Sequence, residues 1–312
     1  MTDIVTLTLN PCVDVSTTTP RVQPIRKLRC TEPRREPGGG GINVARVLRR
    51  LGSEVLAVHT AGGASGAQLV ALLHAEEVPG LVLPIAGETR ESFHVHATEA
   101  AEEYRFVMPG PTLQAGEWQA CLEQVVALQP APRWLVASGS LPPGVPEDFY
   151  ARLAHHCRSR GVRLVLDASG PALAAALAEG VYLCKPSLGE LRGLSGEALA
   201  EPAQWHAAAQ QLVAGHRAEV VVLSLGAEGA LLAARDTLVQ APALPVVARG
   251  AIGAGDSLVA GLVHGLAGGA SLREAFALGM ATSAAAVLHT GTALSQPQDV
   301  ARLRPLVVLQ DL

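Results

Sequence analysis

Aromatic side chains are scarce in this 312-residue chain, 3% of the composition against 49% hydrophobic overall, and alanine, leucine and valine supply most of the remainder. That balance predicts close-packed helices on an aliphatic sheet and excludes a disordered or collagen-like chain. An excess of charge of one sign is lacking as well. The 24 Lys and Arg against 28 Asp and Glu leave a formal −4, too weak a field to gather nucleic acid or an anionic membrane, although a local basic cluster can still hold a small anion. The five cysteines (Cys12, Cys30, Cys121, Cys157 and Cys184) contain no C-x-x-C pair, which suits reduced thiols and argues against a disulfide framework or a zinc site. No apolar run reaches about 18 residues, and Met1 to Asn10 reads as a buried strand rather than a leader, so a soluble, cytoplasmic protein is expected. Linkers, repeats and low-complexity tracts are also absent. For this length, a single α/β domain over 1–312 with a small β lid is the simpler assignment.

Short aliphatic runs recur at Val55 to Thr60, Trp134 to Ser138, Arg163 to Leu166, Tyr182 to Lys185 and Val220 to Ser224, with helical patterns between them. That alternation predicts a mostly parallel sheet flanked by helices. The spacing of Ile42, Ala45, Leu48 and Leu51 predicts one helix, Phe149, Leu153 and His156 another, and the capping box from Ser271 to Glu274 opens a third. Two stretches break the rhythm, Cys12 to Pro33 and Glu91 to Met108, and read as antiparallel ribbons standing off the sheet. In the second, Phe93, Val95 and Ala97 alternate with His94, His96 and Thr98. A thin ribbon buries little apolar area alone, so a second subunit packing there is expected.

The strongest local signal is Gly250-Ala251-Ile252-Gly253-Ala254-Gly255-Asp256-Ser257, which runs directly into a helical pattern. Small residues let backbone N–H groups converge at a helix N-terminus, an anion site able to stabilise a transferring phosphoryl group with Asp256 facing the attacking hydroxyl. Beside a positive helix end, Asp256 is expected to have a low pKa and to be a modest base. A second glycine loop, Pro37 to Asn43, places Gly39 and Gly40 where no side chain separates backbone from ligand, and offers the Asn43 amide to a polyol. Asp14 follows the first strand, and Ser138-Gly139-Ser140 follows another, at the strand ends where open α/β sheets bind ligands. Lys185-Pro186-Ser187 with Glu190 puts a serine and a carboxylate three residues apart at a helix start, the spacing of a capping box, and Ser224 to Ala230, with Gly226 and Gly229, reads as a strand-turn-strand unit able to lie under a nucleotide or as an ordinary hairpin. Lys27, Arg29, Arg90 and Arg105 lie in or beside the ribbons, and ribbon pairing that gathers them would suit a phosphate monoester. His94 and His96 share a strand face, but no third ligand stands at metal-binding spacing. No G-x-S-x-G elbow supports a serine hydrolase.

In this order, the motifs resemble the ribokinase-like (PfkB) sugar kinase family, and within it the bacterial 6-phosphofructokinase isozyme 2 type, along essentially the whole chain. The resemblance rests on Thr6-Leu7-Thr8-Leu9-Asn10-Pro11 with Asp14, Lys27-Leu28-Arg29-Cys30, Pro37 to Arg46, Tyr104-Arg105-Phe106-Val107-Met108-Pro109-Gly110, Ser138 to Gly144 and Gly253-Ala254-Gly255-Asp256. It implies a ribokinase-like three-layer α/β/α sandwich with a β-sheet lid that mediates homodimerisation, and transfer from ATP, with Mg²⁺ and a monovalent cation such as K⁺, to a phosphorylated ketose. By motif position it makes Asp256 the catalytic base, with the anion hole at Gly253, Ala254 and Gly255. Asp14, Gly39, Gly40 and Asn43 would hold the sugar, with Ser138, Gly139 or Ser140 in support and Lys27, Arg29, Arg90 and Arg105 on its phosphate. Lys185, Ser187, Ser224, Gly226 and Gly229 would meet the nucleotide, and Glu190 would meet Mg²⁺ through water. Ser187 stands where the family usually has Asn. The expected acceptor is fructose 6-phosphate. Tagatose 6-phosphate, fructose 1-phosphate and a non-catalytic sugar-phosphate or nucleotide sensor are the alternatives.

Overall fold

The structure is a computed structural model that describes residues 3–100 and 102–312; Met1 and Thr2 of the expected first strand and Ala101 of the second ribbon lie outside the described residues. Seven parallel strands run side by side in the order β5 (Gly80–Pro84), β4 (Val55–Ala61), β1 (Ile4–Thr8), β8 (Trp134–Ser138), β9 (Arg163–Asp167), β10 (Val181–Cys184) and β11 (Ala218–Ser224). Antiparallel β12 (Ala230–Ala234), β13 (Thr237–Ala241) and β14 (Gln310–Asp311) extend the β11 edge to a ten-stranded sheet. Successive side chains of a strand face opposite ways, and both faces are apolar because both are covered. Along β8, Trp134 and Val136 enter one core while Leu135 and Ala137 enter the other, and β11 divides Val220 and Val222 from Val221 and Leu223 in the same manner.

The helices supply the two outer layers. Trp118 and Cys121 of α3 (Ala115–Val126), Phe149 and Leu153 of α4 (Phe149–Ser159), Leu173 of α5 (Gly170–Glu179), Leu191 of α6 (Leu188–Ser195) and Trp205 of α7 (Pro202–Ala214) fill one core. Ile42 and Leu48 of α1 (Gly40–Arg50), Leu69 of α2 (Gly63–Ala75), Val259 of α8 (Ala254–Ala267) and Phe276 of α9 (Leu272–Ala286) fill the other, with α10 (Pro297–Leu303) packed beyond α9. This is the expected three-layer arrangement. No helix among the described residues is long and apolar enough to cross a membrane.

The lid differs from two separate ribbons. It is one four-stranded sheet in the order β3 (Arg34–Gly38), β2 (Cys12–Thr19), β6 (Arg90–Ala97) and β7 (Glu102–Val107). β2 pairs with β3 and β6 with β7 in antiparallel fashion, but β2 and β6 are parallel and join the hairpins into a single surface. The strand partnering β2 begins only at Arg34, just past the expected ribbon. Pro20, Pro24 and Pro33 remove ladder donors from the intervening segment. Its end is pinned instead by the Thr31 N–H on the Thr18 carbonyl and by the Thr31 hydroxyl against Thr17 and Thr18.

Candidate active site

The ends of the parallel strands converge where the sequence motifs are. β1 leads through Asn10 to Asp14 on β2, β8 ends at Ser138, β9 at Asp167, β10 delivers Lys185 and β11 ends at Ser224. Ligands of open parallel sheets bind in the crevice beyond these carboxyl ends, opposite helix N-termini. Here the facing helix is α8, entered through Gly253 in the left-handed region at φ 72°. A Cβ at Gly253 would also strike the Leu294 side chain, so the turn that aims the next amides outward depends on glycine twice over.

Asp256 lies in the first turn of α8, partly exposed at the crevice floor. Its Oδ2 accepts from Asn43 Nδ2 at 2.9 Å, and Ser138 Oγ stands 3.5 Å from Oδ1. The low pKa expected from the helix dipole is overturned. Burial, then the negative Asp167, pushes Asp256 up to about 6; the Asn43 hydrogen bond and Lys185 pull against this and Asp14 adds to it. Burial, joined by the repulsion of two further carboxylates in the crevice, outweighs the dipole. The result is a carboxylate poised near neutral pH, where a general base works best.

Lys185 is 7% exposed and its Nζ lies 3.1 Å from Asp167 Oδ1. Burial alone would lower its pKa, but Asp167, Asp256 and Glu190 hold the ammonium above its ordinary value. A Cβ on Gly255 would come within 3.4 Å of Nζ, so this buried cation sits directly against the glycine turn. Sequence reasoning missed Asp167. Its signal was an acidic residue immediately after the aliphatic run Arg163 to Leu166, the same strand-end position that singled out Asp14.

The second glycine loop packs against the first. Gly39, at φ 114°, lets the chain turn into α1, and a Cβ there would press Thr8 Cγ2 at 2.8 Å and Pro11 Cα at 3.1 Å. A Cβ on Gly40 would strike Ser138 Oγ. These contacts bring α1 against the ends of β1 and β8 and carry Asn43 to Asp256. The two candidate serines are also separated: Ser138 stands beside Asp256, whereas Ser140 Oγ accepts from Asn10 Nδ2 at 3.0 Å. Buried Tyr150 fixes the turn between them by donating to the Gly139 carbonyl at 3.0 Å.

Ser187 and Glu190 form the capping box of α6: the Ser187 N–H and Oγ both donate to Glu190 Oε2, at 2.7 and 2.9 Å. Glu190 Oε1 accepts no protein hydrogen bond among the described residues. Ser187 bridges to Ser224 at the strand ends, and Gly226 and Gly229 shape the turn into β12.

The four cations are not gathered within the chain. Arg90 sits at the base of the lid, where Nη1 and Nη2 donate to the carbonyls of Met108 and Asn10 at 3.0 Å each, while its buried Nε has no protein partner. Arg105 pairs opposite His94, four residues along β6 and so about 13 Å away at the rise of a strand. Lys27 and Arg29 are exposed on the segment between β2 and β3. Arg90 and Arg105 therefore stand apart along the lid strands, with Lys27 and Arg29 on a different segment.

Comparison with known proteins agrees with this geometry. The profile of the pfkB family carbohydrate kinases matches residues 2–299. The ATP-dependent 6-phosphofructokinase isozyme 2 of Mycobacterium tuberculosis is 47% identical over 300 residues, 96% of this chain and 88% of that protein. The Escherichia coli protein of the same name is 43% identical over 304 residues, 97% and 98% of the two chains. A crystal structure of phosphofructokinase-2 from Escherichia coli in complex with fructose-6-phosphate superposes with a TM-score of 0.92 at 42% identity, covering 98% of this chain and 99% of that one. With the Gly253 to Asp256 turn, the Asn43 contact and the crevice lysine all in place, the chain belongs to the pfkB family of carbohydrate kinases.

Proposed function

We propose that the chain transfers the γ-phosphoryl group of ATP to the C1 hydroxyl of fructose 6-phosphate, giving fructose 1,6-bisphosphate and ADP. The observation that carries this reading is Asp256, a carboxylate raised to about 6 that is held by Asn43 and follows directly on the outward-facing glycine turn. Similarity to the isozyme 2 relatives supports the choice of acceptor.

Asp14, Gly39, Gly40 and Asn43 hold the ketose, with Ser138 at its reacting end. Asp256 takes the proton of the C1 hydroxyl as that oxygen bonds to the γ-phosphorus and the bond to the β-phosphate oxygen breaks. The transition state is loose and spreads charge over the equatorial oxygens, so positioning and electrostatics do most of the catalysis. The amides of Gly253, Ala254 and Gly255, backed by the Lys185 ammonium, meet that charge. Ser187, Ser224, Gly226 and Gly229 line the nucleotide's path.

The donor set fits a nucleotide-borne Mg²⁺. Mg²⁺ characteristically binds phosphate oxygens, keeps several waters and takes few protein carboxylates, here one half-buried carboxylate, Glu190. Glu190 Oε1, free of protein hydrogen bonds among the described residues, would accept from such a water. When bound, such an ion would supply positive charge to offset that developing on the transferring phosphoryl group.

Arg90 meets the sugar phosphate from its own subunit, and Lys27, Arg29 and Arg105 reach it across a two-fold lid dimer. A C2 interface opposes the same patch on both subunits, which brings together cations that one lid keeps apart. Phe106 (47% exposed), Val107 (60%) and Met108 (41%) offer the apolar surface for it. An ADP-release assay with fructose 6-phosphate, tagatose 6-phosphate and fructose 1-phosphate tests the function. The highest kcat/KM is expected with fructose 6-phosphate. A better alternative ketose would replace that acceptor, and binding without turnover of any would make the chain a sensor.

A further inference from the structure

Asp14 is held on one oxygen and open on the other. Oδ1 is approached by Cys12 Sγ at 3.2 Å and by His94 Nε2 at 3.4 Å. Oδ2 accepts no protein hydrogen bond among the described residues and lies over Gly38, where any Cβ would collide with the carboxylate. Both partners are sequestered, Asp14 at 6% and His94 at 7% exposure. A carboxylate only accepts, so the contact with His94 bonds only if Nε2 carries the proton. In a neutral ring Nδ1 is then an acceptor. That Nδ1 is buried without a protein partner, and His94 lines a cavity of about 240 Å³ between the inner face of the lid and Ile252, Thr290 and Gly291. A proton on Nδ1 instead would leave a buried donor unpaired and turn the Nε2 lone pair toward the carboxylate, so the ring favours the tautomer whose Nε2–H points at Asp14.

We propose that His94 is a positioning residue for the acceptor sugar: its Nε2–H holds Oδ1 of Asp14, so that Oδ2 is presented to the sugar hydroxyls in one orientation. The lid face therefore serves the sugar site through a residue that touches no substrate. His96, two residues on, also lines the cavity, but no contact joins it to Asp14. The inference rests on the reading of Asp14 as a ketose ligand.

The test compares His94→Leu, His94→Gln and His96→Leu in steady-state kinetics and in calorimetric binding of fructose 6-phosphate. Glutamine keeps an N–H close to the position of Nε2. Loss of a hydrogen bond to a charged group that itself holds substrate should raise KM and Kd for the sugar phosphate about tenfold in His94→Leu, with kcat and the ATP KM within about twofold. His94→Gln should recover most of the affinity, and His96→Leu should lose none. Equal losses in His94→Leu and His96→Leu, a glutamine variant as impaired as leucine, or parallel falls in kcat would overturn the assignment. Imidazole ¹⁵N shifts of the wild type, assigned by the loss of signals in His94→Gln, read the tautomer without substrate. A proton on Nε2 is expected, and a ring protonated on Nδ1 alone would overturn the proposal. A wild type that binds no ketose phosphate would refute the kinase reading, while the tautomer still decides whether His94 holds Asp14.

Discussion

Asp256→Asn removes one charge and keeps the size of the side chain, so it tests the base and the electrostatics of the crevice together. With its pKa pushed from 3.8 up to about 6, Asp256 binds its proton more tightly folded than unfolded. Each tenfold in proton affinity is worth about 1.4 kcal/mol, so ionised Asp256 costs the fold about 3 kcal/mol, and its partial exposure trims that to about 2. The sign follows from linkage. The cost is absent below pH 3.8, grows as pH rises through the interval and is complete above about 6. Asparagine can still accept from Asn43 and carries no charge, so the variant should be more stable than wild type by about 2 kcal/mol at pH 8 and by about 1 at pH 5. Its kcat should fall by about 10² to 10⁴, the usual range for a general base, with the sugar KM little changed. In the wild type, kcat/KM should rise with pH through about 6. Urea unfolding at both pH values and steady-state rates make the measurement. A stability gain independent of pH would refute the electrostatic argument, and near-normal turnover would remove Asp256 from the base position.

Arg90→Ala should lower kcat/KM for the sugar phosphate by about 2 kcal/mol and spare the ATP KM, because a charge-assisted phosphate contact remote from C1 acts in ground and transition states alike; a rise in ATP KM instead would move Arg90 to the nucleotide. Lys185→Met leaves Asp167 buried without its cation, so stability should fall by about 3 kcal/mol and kcat with it, and a variant as stable as wild type in urea would refute the pairing. Val95→Lys puts a charge at a half-buried position of β6 in the lid and should weaken the dimer and the activity together in sedimentation and rate measurements. A wild type that is monomeric at assay concentration would rule out that interface.

The central sheet was legible in the sequence because its strands are buried on both faces: Trp134 to Ser138 and Val220 to Ser224 read as continuous aliphatic runs and fold as β8 and the end of β11. The glycine turns were legible because backbone approach leaves no substitute for glycine. β5, a three-residue aliphatic run bracketed by Gly80 and Pro84, and the two-residue β14 are too short to stand out, and neither was foreseen. Pairing between distant segments leaves no local trace either. Nothing near Cys12 indicates that it lies beside Arg90 in a parallel ladder, and that register decides that His94, not His96, reaches Asp14. The pKa of Asp256 was misjudged for a related reason. The dipole of its own helix is readable from local sequence, whereas the opposing Asp167 comes from a strand 89 positions away.

Arg46 shows how far the stretch after Pro37 exceeds a glycine loop. It is fully buried on α1, with Nε and Nη2 both on Glu76, at 2.9 and 2.6 Å, and Nη1 on the carbonyls of Pro37 and Thr292. A guanidinium can do this because its donors diverge in a fixed plane, which an ammonium cannot reproduce. The carbonyls it joins belong to the strand entering from the lid and to the loop after α9, close to the Leu294 that packs on Gly253. Glu36 of the lid strand is tied to the same loop by the Thr292 hydroxyl at 3.0 Å. The Arg46 side chain also stands 3.5 Å from Asn43 Oδ1, on the side of that amide away from Asp256. One residue therefore connects the lid, the loop bracing the anion turn and the amide that holds the base. The position of the lid relative to Asp256 is fixed by directional bonds from a buried charge, and the glycines confer close approach on a frame that is itself rigid.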